Sequence, residues 1–214
     1  MKKLLAVAVF LGLAMAQTIA EITRQVQANL ERSPWEATLT GRVQMPDGST
    51  QEAEFRLQVI PRELARVEFK KPAALEGNFV VISEKEVWNY LFLTNQLIIQ
   101  PRAKARVEGL GVNLTDLSDL EQLTERVTLR LLGEQNTPAG AAWRIGGVPK
   151  DASLGFASME LLVLKADPRP LYVTLRDANN RVLAELGFSG FRRTNLTPQA
   201  LRKRPADAEV IRRN

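Results

Sequence analysis

Apolar residues recur at spacings of three and four between Thr18 and Arg32, where Ile19, Ile22, Val26 and Leu30 stand among polar neighbours, and this period predicts an amphipathic helix. Ser33-Pro34 ends it, because the residue before a proline is pushed out of helical backbone. The period then falls to two. Ala37, Leu39, Gly41, Val43 and Met45 alternate with Thr38, Thr40, Arg42 and Gln44, as in a strand with one buried face. Pro46-Asp47-Gly48-Ser49 supplies a turn, and Ala53, Phe55, Leu57 and Val59 alternate behind it, so the two runs predict an antiparallel hairpin. After Pro61-Arg62 a third strand carries Ala65, Val67 and Phe69 on one face and stops at Pro72.

Phe79 to Ile82, Val87 to Leu93 and Leu97 to Ile99 are apolar at successive positions, the pattern of strands covered on both sides. Leu114, Leu117, Leu120 and Leu123 predict a second, short helix, with Thr115 or Ser118 as its cap. Strands are predicted again over Val127–Leu132, Ala142–Val148, Phe156–Lys165, Leu171–Asp177 and Arg181–Phe191, with turn signals at Asn136-Thr137-Pro138, Asp167-Pro168 and Asp177-Ala178-Asn179-Asn180. Roughly ten or eleven strands in a row of hairpins, with two helices, predict a mainly β protein whose antiparallel sheet curls around a core.

The chain's start changes the picture. Lys2 and Lys3 precede an apolar run from Leu4 to Leu13 and the small-residue pattern Ala14-Met15-Ala16, which predicts a cleavable export signal over residues 1–16. The run is too short to span a bilayer, which takes roughly 20 apolar residues. There is no cysteine in the chain, so neither a disulfide nor a lipid-bearing cysteine after the cleavage point is available. There is no histidine either, which removes the side chain most used as a general base and as a metal ligand. No nucleophile motif of the Gly-x-Ser-x-Gly kind is present, and no carboxylate pair stands out. These absences predict binding without catalysis, metal or cofactor.

The formal charge of +5 is unevenly spread. Seven basic residues against Asp207 and Glu209 fall between Arg192 and Asn214. A basic end on a mildly acidic, exported body argues against nucleic acid. It marks Arg202, Lys203 and Arg204 as candidate docking residues for an anionic membrane surface or an acidic partner patch, the alternative being a merely solvated tail.

Trp88, Tyr90 and Phe92 fall at period two, and Phe55, Phe69 and Phe79 read as inward residues of neighbouring strands. Two readings stay open on periodicity alone, an ordinary core or the wall of an apolar cavity. The cavity would be lined by Phe55, Leu57, Val67, Phe69, Val81, Trp88, Tyr90 and Phe92.

The stretch Leu64-Ala65-Arg66-Val67-Glu68-Phe69-Lys70-Lys71-Pro72, followed by Phe79-Val80-Val81-Ile82, Val87-Trp88-Asn89-Tyr90 and Asn95-Gln96, resembles the outer-membrane lipoprotein carrier family, LolA and its relatives, including outer-membrane lipoprotein-sorting proteins. The turn Asp177-Ala178-Asn179-Asn180, the strand Phe188 to Phe191, Asn195-Leu196 and the basic end extend the likeness over nearly all of residues 17–214. The resemblance implies an unclosed antiparallel β-barrel over 17–197 with helices covering its concave face, followed by a basic segment, 198–214. It also implies a monomeric periplasmic carrier of lipoprotein acyl chains or other lipids, loaded by an inner-membrane transporter and unloaded to an outer-membrane acceptor. The family's lid-latching arginine precedes a proline, whereas here the order is Pro61-Arg62, so Arg62 is the candidate latch from one position along. Relatives of the same scaffold that regulate envelope stress by binding a membrane protein supply the alternative function.

Overall fold

A computed structural model describes residues 18–105 and 125–213. The predicted export signal and the predicted helix at Leu114–Leu123 lie outside the described residues. Helix α1 (Ile19–Leu30) leads into β1 (Trp35–Gln44), β2 (Thr50–Ile60), β3 (Leu64–Lys71), β4 (Phe79–Ser83), β5 (Glu86–Leu91) and β6 (Gln96–Pro101). Then come β7 (Val127–Thr137), β8 (Gly140–Pro149), β9 (Ser158–Leu164), β10 (Pro170–Arg176) and β11 (Val182–Arg193). A single-turn helix α2 (Pro198–Leu201) and a short strand β12 (Glu209–Arg212) complete the described chain.

All the strands join one sheet in the order β12-β6-β5-β4-β3-β2-β1-β11-β10-β9-β8-β7. Every pairing is antiparallel except β12 with β6, which is parallel. The outermost strands, β12 and β7, are not paired with each other, so the sheet is a curled barrel left unclosed. The fold expected from the sequence is therefore present, with one strand more than the pattern predicted.

Residues directly opposite one another in a ladder share a face, so the register assigns each side chain to one of two surfaces. Val87, Ile82, Ala65 and Val59 form one such row, and Leu161, Val173, Leu186, Gly41 and Ala53 another. These belong to the inner face, where one apolar cluster runs from Val87 through Val67, Phe55, Val43, Leu186 and Leu175 to Val127. Gly41 is required where it stands. A Cβ there would lie 1.8 Å from the carbonyl oxygen of Glu185, so β1 and β11 approach as they do only because the side chain is absent.

Helix α1 forms as its sequence dictates. Thr18 caps it, accepting a hydrogen bond from the Glu21 amide at 3.2 Å, and Glu31 follows the last turn. Its apolar stripe, Ile22 and Val26 with Ile19 and Leu30, packs on Trp143, Ile145 and Val163. Those are inner-face positions of β8 and β9, so α1 covers that end of the inner face.

The basic end is not a free tail. Leu201 and Ala208, with Leu196, pack on Leu64, Phe79, Val81, Tyr90, Leu97 and Ile99. These are outer-face residues of β3 to β6, so the segment straps the side of the sheet opposite to α1. Among the described residues no helix is long and apolar enough to cross a membrane.

Candidate functional site

The eight residues expected to line one cavity are divided by the sheet. Phe55, Leu57, Val67 and Phe69 are on the inner face, Phe55 pairing with Phe69 and Leu57 with Val67. Val81, Trp88 and Tyr90 are on the outer face, and Phe92 lies beyond the end of β5, 57% exposed. Register explains the correction. Phe79 stands opposite Glu68 rather than Phe69, and Val80 opposite Val67, so the apolar run Phe79–Ile82 enters the sheet one position out of phase with the strand before it. The connection from Pro72 to Asn78 sets that phase, and alternation within each strand carries no information about it. Phe79 and Tyr90 instead stack on the outer face with centroids 4.8 Å apart, beneath the C-terminal strap.

On the inner face, the aromatic pair is packing rather than wall. Phe55 and Phe69 meet edge to face at 5.4 Å and are buried. The accessible apolar surface comes from aliphatics around them: Leu39, Leu57, Val59, Leu161 and Val173 remain half-buried against the same cluster. Of these, sequence reasoning named only Leu57 as cavity lining. Leu161 and Val173 lie in strands whose apolar residues occupy both faces, so only the ladder, which sets them opposite each other, assigns them inward.

No charged side chain projects from the inner-face rows of β1 (Trp35, Ala37, Leu39, Gly41, Val43), β2 (Ala53, Phe55, Leu57, Val59) or β11 (Ala184, Leu186, Phe188). Apart from Arg193 at the end of β11, the charges beside these rows are on the other side. There Glu36, buried, accepts from Arg56 at 2.8 Å and from Gln58 at 3.2 Å, and pairs with Arg192. Burial works to raise the Glu36 pKa, but the guanidinium hydrogen bonds outweigh it and hold the carboxyl below its ordinary range. Beside it Arg66 donates to Glu68 at 2.9 Å. Burial lowers the Arg66 pKa; it works to raise that of Glu68, but there the Arg66 hydrogen bond more than offsets it and the carboxyl's pKa is lowered. Around β1, β2 and β11 charge is thus sorted to the outer face and hydrocarbon to the inner one.

Two contacts tie α1 over that surface. Arg62, in the turn between β2 and β3 and at φ 62°, reaches Glu31 at the end of α1 with an ion pair of 2.7 Å. The candidate latch thus meets the helix that covers the inner face, from a solvent-exposed position. The second contact was not foreseen. Arg193 at the end of β11 donates to the Asn29 side chain at 2.9 Å and to the Ser33 carbonyl at 3.1 Å. The Asn29 amide in turn donates to Asp167 at 2.8 Å and the Pro168 carbonyl at 3.0 Å. Asn29 is the one buried polar residue on α1, the signal in the sequence that this turn is anchored.

A cleft of about 340 Å³, of mixed polar and apolar lining, opens at the rim where β1, β2 and β11 meet, lined by Arg42, Val43, Gln44, Thr50, Val182, Leu183 and Glu185. Arg42 pairs with Glu185 at 3.2 Å. Nearby the Tyr172 hydroxyl donates to the same carboxylate, and burial together with that bond pushes its pKa up to about 12. Among the described residues no cluster of acidic side chains is arranged to hold a metal ion.

Comparison with known proteins follows the fold. No family model matches the chain, and no curated protein matches it. An uncharacterized conserved protein from Thermus thermophilus is 44% identical, with a TM-score of 0.71 over 91% of this chain and 98% of that one. A putative outer membrane lipoprotein-sorting protein domain from Vibrio parahaemolyticus shares the fold at 18% identity, with a TM-score of 0.53 over 85% of this chain and 95% of the other. The Pseudomonas aeruginosa MucA/MucB complex structure contains the same fold at 19% identity and a TM-score of 0.52, this chain covering 62% of that one.

Proposed function

The chain belongs to the family of the conserved Thermus thermophilus protein and has the fold of the outer-membrane lipoprotein-sorting domain, and on that basis we propose that it is a periplasmic carrier of lipid acyl chains. It holds the hydrocarbon of a lipoprotein or another lipid against the inner face of its sheet, without covalent chemistry, and passes it from an inner-membrane donor to an outer-membrane acceptor. The observation that supports this reading is the apolar stretch of inner face around β1, β2 and β11, on which Leu39, Leu57, Val59, Leu161 and Val173 keep accessible apolar surface.

The energetics suit such a role. Each methylene taken from water contributes about 0.8 kcal/mol, so a long chain is held firmly without one specific polar contact. A wall of strand-borne aliphatics also loses little entropy on binding, because its side chains are fixed by the sheet. The ligand site so defined consists of Leu57 with Leu39, Val59, Leu161 and Val173. Phe55, Val67 and Phe69 form the packed floor beneath them.

Native mass spectrometry of the protein purified without detergent tests this directly. A carrier gives lipid adducts, or takes up a hydrophobic fluorescent probe that added fatty acid displaces. Leu57→Asp and Val173→Asp abolish the uptake while the circular dichroism stays native. A native protein that carries no lipid and binds no probe overturns the reading. Recovery of a membrane-protein partner without lipid would instead support a regulatory module on the same scaffold.

A further inference from the structure

The turn between β5 and β6 is apolar at its tip. Phe92 is 57% and Leu93 86% exposed, adjacent to one another where turns are ordinarily polar. The tip is not loose. The Phe92 amide donates to the Asn78 side chain at 2.8 Å, and the Phe92 ring rests on Gly77, where a Cβ would lie 2.8 Å from the ring. On its other side Asn95, at φ 49°, accepts from the Tyr90 hydroxyl at 2.9 Å and from the Glu209 amide at 2.9 Å through its carbonyl. The Asn95 side-chain amide donates to Asp207 at 3.2 Å. Two exposed hydrocarbon side chains are thus held by backbone and side-chain bonds that require them to stay in water.

A second chain of contacts leads from the tip to the basic segment. Arg66 lies over the Phe79 ring at 3.7 Å and donates to the carbonyls of Leu201 at 2.9 Å and Lys203 at 3.0 Å, fixing the path of residues 201–204. Phe79 stacks on Tyr90, which holds Asn95, so the strap and the tip occupy one end of the outer face. Arg202, Lys203 and Arg204 are all exposed and form no ion pair among the described residues. The neighbouring acids are engaged: Asp207 accepts from Asn95, and Glu209 from Gln96 at 2.9 Å. Lys70, on the same face, pairs with Glu68 at 3.5 Å.

We propose that Phe92 and Leu93, with Arg202, Lys203 and Arg204, form a docking surface for an anionic phospholipid bilayer. The tip enters the headgroup region while the three cations meet the phosphates. The shape favours lipid over protein. A stable protein interface buries about 1,200–2,000 Å² in all, far more than two side chains on a projecting turn supply. A bilayer surface accepts a small apolar finger with basic neighbours, each of which is attracted to anionic lipid. Rigid bracing keeps the finger ordered before contact, so little entropy is lost on insertion. The surface faces away from the apolar inner face and does not depend on what that face carries.

Co-sedimentation of the purified protein with vesicles tests it, since it reads membrane contact and not ligand uptake. Binding is expected to vesicles of phosphatidylglycerol with phosphatidylethanolamine, to fall at high salt, and to be absent with phosphatidylcholine alone. Arg202→Glu with Lys203→Glu and Arg204→Glu is expected to weaken it about tenfold or more. Phe92→Ser with Leu93→Ser has a similar effect, and Lys85→Glu at the opposite end of the strands has none. Unchanged thermal melting shows that these surface variants fold. Failure of the native protein to bind anionic vesicles at low salt overturns the proposal, as does equal binding by the variants. Self-association that disappears in the Phe92→Ser and Leu93→Ser variant, without vesicle binding, overturns it in favour of a second copy as the occupant.

Discussion

Single residues carry out functions here that their type alone does not announce. At Gly41 the missing side chain is the feature, for Gly41→Ala would drive a Cβ against the Glu185 backbone, which has no flexible end to move aside. We expect that variant to lose about 1–3 kcal/mol in urea unfolding, the usual cost of overpacking, even though alanine favours a strand no less than glycine does. Arg66 shows the converse. Its guanidinium satisfies two carbonyls of the C-terminal strap, pairs with Glu68 and covers Phe79. Arg66→Ala leaves those acceptors and a partly buried carboxylate without their donor, and is expected to cost about 1–3 kcal/mol. The local effect separates this from general destabilisation: trypsin should cut after Arg202 or Lys203 in the folded variant well before it cuts the native protein.

At the scale of elements, α1 is held over the inner face by two contacts of unequal worth. The Arg62–Glu31 pair is solvent-exposed on the arginine side, and such pairs contribute about 0–1 kcal/mol. Arg193 and Asn29 form a partly buried network with several bonds, where loss of the donor leaves carbonyls unpaired. Arg193→Ala should therefore accelerate amide exchange in α1 far more than Arg62→Ala does, with a stability loss of about 1–3 kcal/mol against less than about 1.

The extent of many elements was legible because period and punctuation are local properties, although β7 runs on to Thr137 past the predicted Leu132. The α1 stripe and the β1–β2 hairpin are where the pattern puts them, and the Pro72 stop is one residue from the observed end of β3. What pattern does not encode is the phase between strands. The connection from Pro72 to Asn78 shifts β4 by one position, and with it Val81, Trp88 and Tyr90 leave the inner face. Strand β12 escaped notice because Glu209–Arg212 is mostly exposed, and it joins the sheet by pairing with β6 rather than through its own apolar content.

At the scale of the whole molecule the two faces of the sheet carry different chemistry around β1 and β2, and each has its own test. On the outer face, Glu36 and Glu68 have pKa values below their ordinary 4.5, because burial, which raises them, is outweighed by hydrogen bonds from arginine. A carboxyl whose folded pKa is depressed contributes stability that is complete above the unfolded value and is lost as pH falls through the folded one. Unfolding free energy should thus be level from neutral pH down to about 5 and fall below it, and Glu36→Gln should flatten that acid slope. On the inner face, the proposed carrier role assigns stability and binding to different residues. Phe55 is 2% exposed and makes floor contacts, so Phe55→Ala should cost about 3–5 kcal/mol in unfolding. Leu57, its near neighbour on β2, is half-buried and gives up less packing when truncated. A carrier makes the opposite demand on these two positions in binding, where only surface a ligand can reach contributes. Leu57→Ala should weaken probe uptake while leaving the melt nearly native, whereas Phe55→Ala, measured at a temperature where it is still folded, should lose stability and retain more of the uptake. If the two variants instead lose binding in proportion to stability, the inner face acts as a packed core and the carrier reading fails at its central point.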